Sequence, residues 1–445
     1  MNLKIRRTIF YALIVIFFVF AFFIIPYSNG WRFDFTTFSF VKLGGLYIET
    51  DPAETQIQID KLNFQIKSGF IKSGLLVANL FPKTYHVSAS KDGYQSWNKN
   101  VTVKPSLVTQ IHQVILLPQE WSKELLEENV KNFYPGSNYL AWQDNVGKLK
   151  IENKTIKGTD FVAWMSGEKS ALIYDKATKS YFVINPTQNN TASNINLIFN
   201  NAKEQKEIND SGTIKQILPH PSDKNKLIFT TNEFVYLLDF NKPSLDIIKS
   251  GQFNLLKAFK NEIFISNSSN LYSYNLDSKE LTTIYKSPEV SSVEISDDNH
   301  YIAINASKKL ILLDRSQKEN NVLELSENPI NFVFSPDSKK IVAINTAGDI
   351  KIFFIGDDYE LYNKKPYSYS LFKIKNIDLT YKPIWHQNSS YIFLKTQDDF
   401  RLLEIDDSAP INFNAINVSA EKYYYNQKIN QIYIIQNQKL YKLTK

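Results

Sequence analysis

A charge-free apolar run near the N-terminus, a composition weighted to Ile, Val, Thr, Tyr and Phe, and a strand–turn–strand unit recurring about every 40 residues predict a mainly β protein. The expected order is an N-terminal transmembrane helix, a small β-sandwich and a seven- or eight-bladed β-propeller. The expected boundaries are residues 1–27 for a cytoplasmic N-terminus and anchor, 28–43 for a linker, 44–118 for the sandwich and 119–445 for the propeller. With 43% hydrophobic and 22% charged residues, the chain is globular rather than disordered.

Residues 9–25 read IFYALIVIFFVFAFFII and carry no charge. At about 1.5 Å per residue, with Thr8 before it, such a run crosses a hydrocarbon core of about 30 Å. Thr8, Ile9, Phe17, Phe18 and Ile25 mark this anchor, and Pro26 is expected to end the helix. The stretch Pro26-Tyr27-Ser28-Asn29-Gly30-Trp31 lacks the small-residue pattern of a signal-peptide cleavage site. An uncleaved single-pass anchor is therefore expected. Lys4, Arg6 and Arg7 precede the run, while Arg32 and Lys42 are the nearest basic residues beyond it. The positive-inside rule then keeps the N-terminus in the cytoplasm and sends the bulk of the chain outside the cell membrane. The absence of cysteine excludes disulfides, thiolate nucleophiles and Cys-ligated zinc, and is compatible with the cytoplasm or with a bacterial exterior that does not use disulfides.

Trp31, Phe33 and Phe35 alternate, as do Phe38 and Phe40. Such rings form either an aromatic belt at the membrane interface or a strand packed on the next domain. Packing on the next domain is the expectation, because aromatic rings usually bury against protein.

From 44 to 118, short alternating stretches read as strands: 46–50, Ile57 with Ile59, 85–89, 101–103 and 111–117. The turn Lys91-Asp92-Gly93-Tyr94 places glycine where φ can be positive. The order Gly45-Leu46-Tyr47-Ile48-Glu49-Thr50-Asp51-Pro52, then Leu80-Phe81-Pro82-Lys83-Thr84-Tyr85-His86-Val87, then Asp92-Gly93-Tyr94 resembles the PEGA domain family. Two positions depart from that family: Pro52-Ala53-Glu54-Thr55 approximates its eponymous tetrapeptide, and Lys83 stands where glycine is usual. The resemblance implies a surface or envelope accessory module without known catalysis. Tyr94 and Trp97 form a candidate ligand-stacking pair. The simpler expectation is that both fill a small core.

Residues 121–130 are the one stretch that reads as helix, and they look like a linker. After them the repeat begins. Its clearest copy is Ile330-Asn331-Phe332-Val333-Phe334-Ser335-Pro336-Asp337-Ser338-Lys339-Lys340-Ile341-Val342-Ala343-Ile344, followed by a further strand at 349–353. Copies stand at 293–314, 217–239 and 383–405, with weaker ones around 133–142, 161–184, 258–274 and 423–443. One such sheet cannot bury both faces alone, whereas a ring of them can. The Ser-Pro-Asp turn resembles the WD40-like repeat of the TolB type, with Ser338 where that repeat usually has glycine. The Gly-His and Trp-Asp signatures of intracellular WD40 proteins are missing.

No chemical motif accompanies this architecture. The histidines, His86, His112, His220, His300 and His386, are too far apart in sequence for a local zinc pair. His220 and His386 occupy equivalent turn positions in their repeats. No nucleophile elbow or phosphate-binding glycine loop is present. The acid pairs Asp297-Asp298, Asp357-Asp358 and Asp406-Asp407 fall in turns and read as solvated carboxylates. A net charge of +6, scattered along the chain, argues against nucleic acid as a partner. No catalytic, cofactor or metal residue is assigned. The expected function is non-catalytic: binding or scaffolding of envelope proteins or surface glycans. The alternative is a propeller hydrolase or lyase acting on envelope polymers, and convergent carboxylates at the channel would favour it.

Overall fold

A computed structural model of the protein describes residues 3–35, 37–65, 74–136, 139–151, 154–157, 159–186, 192–287, 289–316, 321–357, 359–362 and 364–444. The chain divides into two units: Met1–Glu120 with 360–363 and Asp406–Asn414, and Trp121–Tyr359 with Lys364–Ile405 and Ala415–Lys445.

In the first unit, helix α1 spans Leu3–Ser28. The most apolar 18-residue stretch within Ile5–Ser28 has mean hydropathy 3.0 and is wholly unburied. Ile9, Phe17, Phe18 and Ile25 all point outward. The expected stop at Pro26 is corrected: the helix runs on to Ser28 with Pro26 inside it. Proline removes only its own amide from the ladder. Meanwhile the Asn29 amide donates to Ile25 O at 3.3 Å and Pro26 O at 3.1 Å. The Asn29 side chain and Ser28 hydroxyl also donate to Ile25 O, at 3.1 and 2.9 Å. Gly30 then reverses the chain at φ +81°.

The aromatic stretch forms an antiparallel hairpin, Trp31–Asp34 paired with Ser39–Lys42. The expectation that its rings pack on the next domain is also corrected. Phe33 and Phe40 pack on Phe22 and Phe23 of α1, with centroids 5.4–6.2 Å apart.

The following strands make two facing sheets. One holds Leu62–Gln65, Gln56–Ile59, Thr84–Ser90 and Trp97–Thr102 in spatial order. The other holds Gly74–Leu80, Gly44–Asp51 and Val108–Ile115, the last two parallel. Period-2 alternation sends Leu46, Ile48, Ile57, Val87, Ala89 and Trp97 into one core. Gly93 turns the chain at φ +78°. The edge strand Trp97–Thr102 is covered by 406–414: the Asn100 amide donates to Ala409 O at 2.9 Å, and the buried Lys99 ammonium donates to Asp406 O at 3.0 Å.

Among the described residues, the second unit forms a ring of eight four-stranded antiparallel sheets. Seven are consecutive in sequence, at 130–157, 159–194, 216–250, 254–286, 290–327, 329–373 and 384–415. The eighth joins 422–444 to the strand Ser122–Glu128, which pairs antiparallel with Lys439–Thr444. The stretch 121–130 thus holds the closing strand Ser122–Glu128 and, at Val130, the start of the first blade, and the helical expectation for it is corrected. Ser-Lys-Glu-Leu-Leu-Glu-Glu is built of good helix formers. The partner edge at 439–444 overrides that preference, and the charged side chains suit an outermost strand.

From the second blade to the seventh each inner strand faces the next, and Phe133 meets Tyr433 at 5.0 Å where the eighth blade touches the first. Pairing slips by one residue at Lys131, Val162, Leu256, Ser291 and Ile330 between first and second strands. Such bulges sharpen twist and help the sheets fan around an axis. The long spacer after the second blade holds helix α2, Ile195–Gln205. The Asn194 side chain caps it by accepting the Leu197 amide, and Ile195, Phe199 and Ala202 bury one face against blades two and three.

The recurrent turn explains Ser338. Asn299, Ser338 and Ser389 sit at equivalent places with φ of 68°, 61° and 58°. Glycine would adopt this conformation freely. Serine is nevertheless useful there: the Asp298 amide donates to Ser338 Oγ, and the Asp337 amide to Ser389 Oγ, both at 3.1 Å. Each hydroxyl ties one blade's turn to that of the blade before it.

Candidate ligand-binding face of the propeller

The turns between first and second strands share one face of the ring. Their first residue organises each turn. The Tyr301 amide donates to Ser296 Oγ and the Lys340 amide to Ser335 Oγ, both at 2.9 Å. Histidine does similar work in two blades. His220 Nδ1 accepts from the Ser222 and Asp223 amides at 3.2 and 3.0 Å, and His386 Nδ1 from the Asn388 amide at 3.3 Å. Burial pushes the His220 pKa below its ordinary value, which keeps Nδ1 an acceptor at neutral pH. His86 meets Asn100 Oδ1 at 3.1 Å, and His300 is exposed beside Asp298. The side chain of His112 lies outside the described residues, as does Asp358. Among the described residues, no group of three His, Asp or Glu side chains could hold a metal.

The opposite face is built from the connections into each inner strand and the turns between second and third strands. Across blades three to five these enclose a groove of about 570 Å³. Gln216, Phe253, Asn254, Asn267 and Ser268 line it, together with the charged Lys215 and Glu289. Several of the amides are already fixed: Gln216 Oε1 accepts the Leu255 amide at 2.7 Å, and Asn267 Oδ1 caps its own turn. Gly251 enters this connection at φ +118°, and Phe253 packs edge-on to Tyr272 at 5.8 Å. Thr230 and Ser266, which also line the groove, carry buried hydroxyls without hydrogen-bond partners. A second depression of about 530 Å³ lies between blades five and six, lined by Ser326, Asn328, Asn345 and Thr346 among others.

The inner strands add charge. Lys257 and Glu294 form an ion pair between blades four and five, and Lys382 approaches the other carboxylate oxygen at 3.9 Å. Lys422 donates to Lys131 O at 3.0 Å and to Asn132 Oδ1. Burial, and then the charge of Lys131, lower the Lys422 pKa. Burial pushes the Tyr424 phenol up to about 12, so it remains a neutral donor. Asp160 is held ionised by Lys176, 2.9 Å away, which lowers its pKa. Glu294 and Asp160 are therefore both engaged by lysines.

Tyr94 and Trp97 lie in the first unit. Trp97 is 1% exposed within the sandwich core, and Tyr94 packs half-buried against that core. This leaves the Trp97 ring no open face for a ligand. The groove residues escaped sequence reading because three blades contribute them. Ser250-Gly251-Gln252, a turn signal before an inner strand, was the one local sign.

No protein-family model and no curated protein matches the sequence. Similar solved structures include the C-terminal WD40 domain of Sif2, at 11% identity and TM-score 0.47, covering 73% of this chain and 97% of that one. Saccharomyces cerevisiae Sqt1 has 10% identity and TM-score 0.46, with 73% and 97% covered. Apo AztD from Citrobacter koseri has 8% identity and TM-score 0.43, with 82% and 96% covered. The fold is fixed by the strand order of the eight sheets rather than by these similarities. That order defines a β-propeller protein. This particular chain precedes its propeller with an apolar helix and a small β domain.

Proposed function

We propose that the protein is a single-pass bacterial envelope protein whose propeller binds or scaffolds envelope proteins or surface glycans without catalysis. The observation that carries this reading is the groove across blades three to five. Its amides, its single aromatic ring and the opposite charges of Lys215 and Glu289 suit a polar ligand such as a protein segment or a glycan. The lysine-engaged Glu294 and Asp160 speak against a free acid–base pair for hydrolysis. The basic flank of α1 supports a cytoplasmic N-terminus and an extracytoplasmic propeller. We read the sandwich at 44–118 as a PEGA-like spacer or adhesive module. The motif positions Gly45, Pro82 and Gly93 fall at a strand start and two turns, which supports that reading.

The test is capture from gently solubilised envelope by the full-length protein, beside a Phe253→Ala/Asn254→Ala variant. A specific protein or glycan is expected on the native chain and should be depleted several-fold on the variant. Equal retention by both would contradict the groove, and recovery of no partner would contradict the binding role.

A further inference from the structure

The hairpin after α1 plays no part in the propeller's reading. It starts three residues beyond Ser28 yet folds back along the helix. Phe33 and Phe40 are cross-strand partners 5.2 Å apart and lie on Phe22 and Phe23. At the hairpin base, the Arg32 guanidinium sits 3.7 Å over the Tyr27 ring and donates to Tyr27 O at 3.0 Å. The Lys42 ammonium lies 5.4 Å over Trp31. At the tip, Phe35 and Phe38 are 77% and 79% exposed, and both touch Phe33. The other hairpin face is more polar, with Arg32, Asp34 and Ser39; the Thr37 hydroxyl donates to Asp34 Oδ2 at 3.0 Å.

This gradient matches a membrane surface: cations with Trp and Tyr at headgroup level, phenyl rings below. Depth gives the same answer. The 26 residues of α1 make about 39 Å of helix, ~9 Å more than the hydrocarbon core. Most of that excess is the basic turn before Thr8; the charge-free run ends at Ile25, so Phe22 and Phe23 lie only about 3–5 Å inside the outer edge of the hydrocarbon. The unpaired strand edges of a two-stranded hairpin are not tolerated in hydrocarbon but are satisfied in the hydrated interface.

We propose that the hairpin lies in the outer interfacial zone of the bilayer and inserts Phe35 and Phe38 among the acyl chains. It is a second lipid contact that fixes the depth of α1. This rests on the reading of α1 as an anchor. The chain has no native cysteine, so single labels are clean. Nitroxides are placed by Phe35→Cys, Phe38→Cys, Phe17→Cys and Val146→Cys in the full-length protein, reconstituted in phosphatidylethanolamine–phosphatidylglycerol vesicles. The readout is collision with oxygen against collision with a water-soluble nickel chelate. Phe35 and Phe38 carry little packing to lose, and Val146, at 81% exposure, reports water. The labels at 17, 35 and 38 are expected to favour oxygen several-fold over the label at 146. A lipid-like label at 17 with water-like labels at both 35 and 38 would overturn the hairpin proposal alone. A water-like label at 17 would overturn the anchor and the hairpin together.

Discussion

A chain carrying both Leu125→Pro and Glu127→Pro is expected to lose about 5 kcal/mol or more of propeller stability, and its melting temperature should fall by about 10 °C or more. Both residues belong to the closing strand, where Leu125 faces Tyr441 and Glu127 faces Leu440. Each proline removes an amide and places a ring where the neighbouring strand must pack. Leu126 between them packs against the cluster of Val130, Phe133, Tyr433 and Leu440, where the eighth blade meets the first. Pairs such as Lys439–Glu128 and Lys442–Glu124 at 3.6 Å reinforce the register but contribute little by themselves. Whole domains are stable by only about 5–15 kcal/mol, so this loss is a large fraction of the total. Calorimetry of the native and double-proline chains measures it. An unchanged propeller transition would mean that the ring does not depend on this strand for closure.

Asp210→Ala is expected to cost about 3–5 kcal/mol, because it leaves two buried hydroxyl donors and an amide without their acceptor. Asp210 is 3% exposed. Its Oδ2 accepts from Thr231 Oγ1 at 2.7 Å and from the Tyr236 hydroxyl at 2.8 Å, and its Oδ1 accepts the Gly212 amide at 2.7 Å. Lys203 of α2 donates to its main-chain oxygen. Burial, and then the hydrogen bond to Asp210, push the Tyr236 pKa far above its ordinary value, so the phenol stays protonated and donating. Alanine would strand both hydroxyls without their acceptor. Tyr236→Phe should cost less, about 1–2 kcal/mol, because Asp210 keeps its other two donors. Urea denaturation of the two single variants and the double variant gives the coupling. A loss below about 0.5 kcal/mol for Asp210→Ala, as for a surface substitution, would refute the network's role.

The repeats were legible because each blade carries its own strand periods and turn residues. All eight regions with repeat character became blades, from the strong copy at 329–373 to the weak one at 130–157. The choice between seven and eight depended on the last sheet, whose outer strand comes from before the first blade. No local pattern reports a partner more than 300 residues away, and the helix-forming composition of 122–128 pointed elsewhere. Helix α2 was legible in principle, through the Asn194 cap and the spacing of Ile195, Phe199 and Ala202. The groove was not, because its amides act together only when blades three to five stand side by side. Trp97 shows the same limit from the other side: an aromatic beside a Gly-Tyr turn reads equally well as a ligand platform, and only packing sends it inward.

The proposed role requires α1 to hold the sandwich and propeller outside the cytoplasm. Protease added to intact, wall-stripped cells tests it most directly. Residues beyond about 30 are expected to be digested while the short anchor fragment survives in the membrane. Full protection of the chain, with digestion only after the cells are lysed, would contradict it.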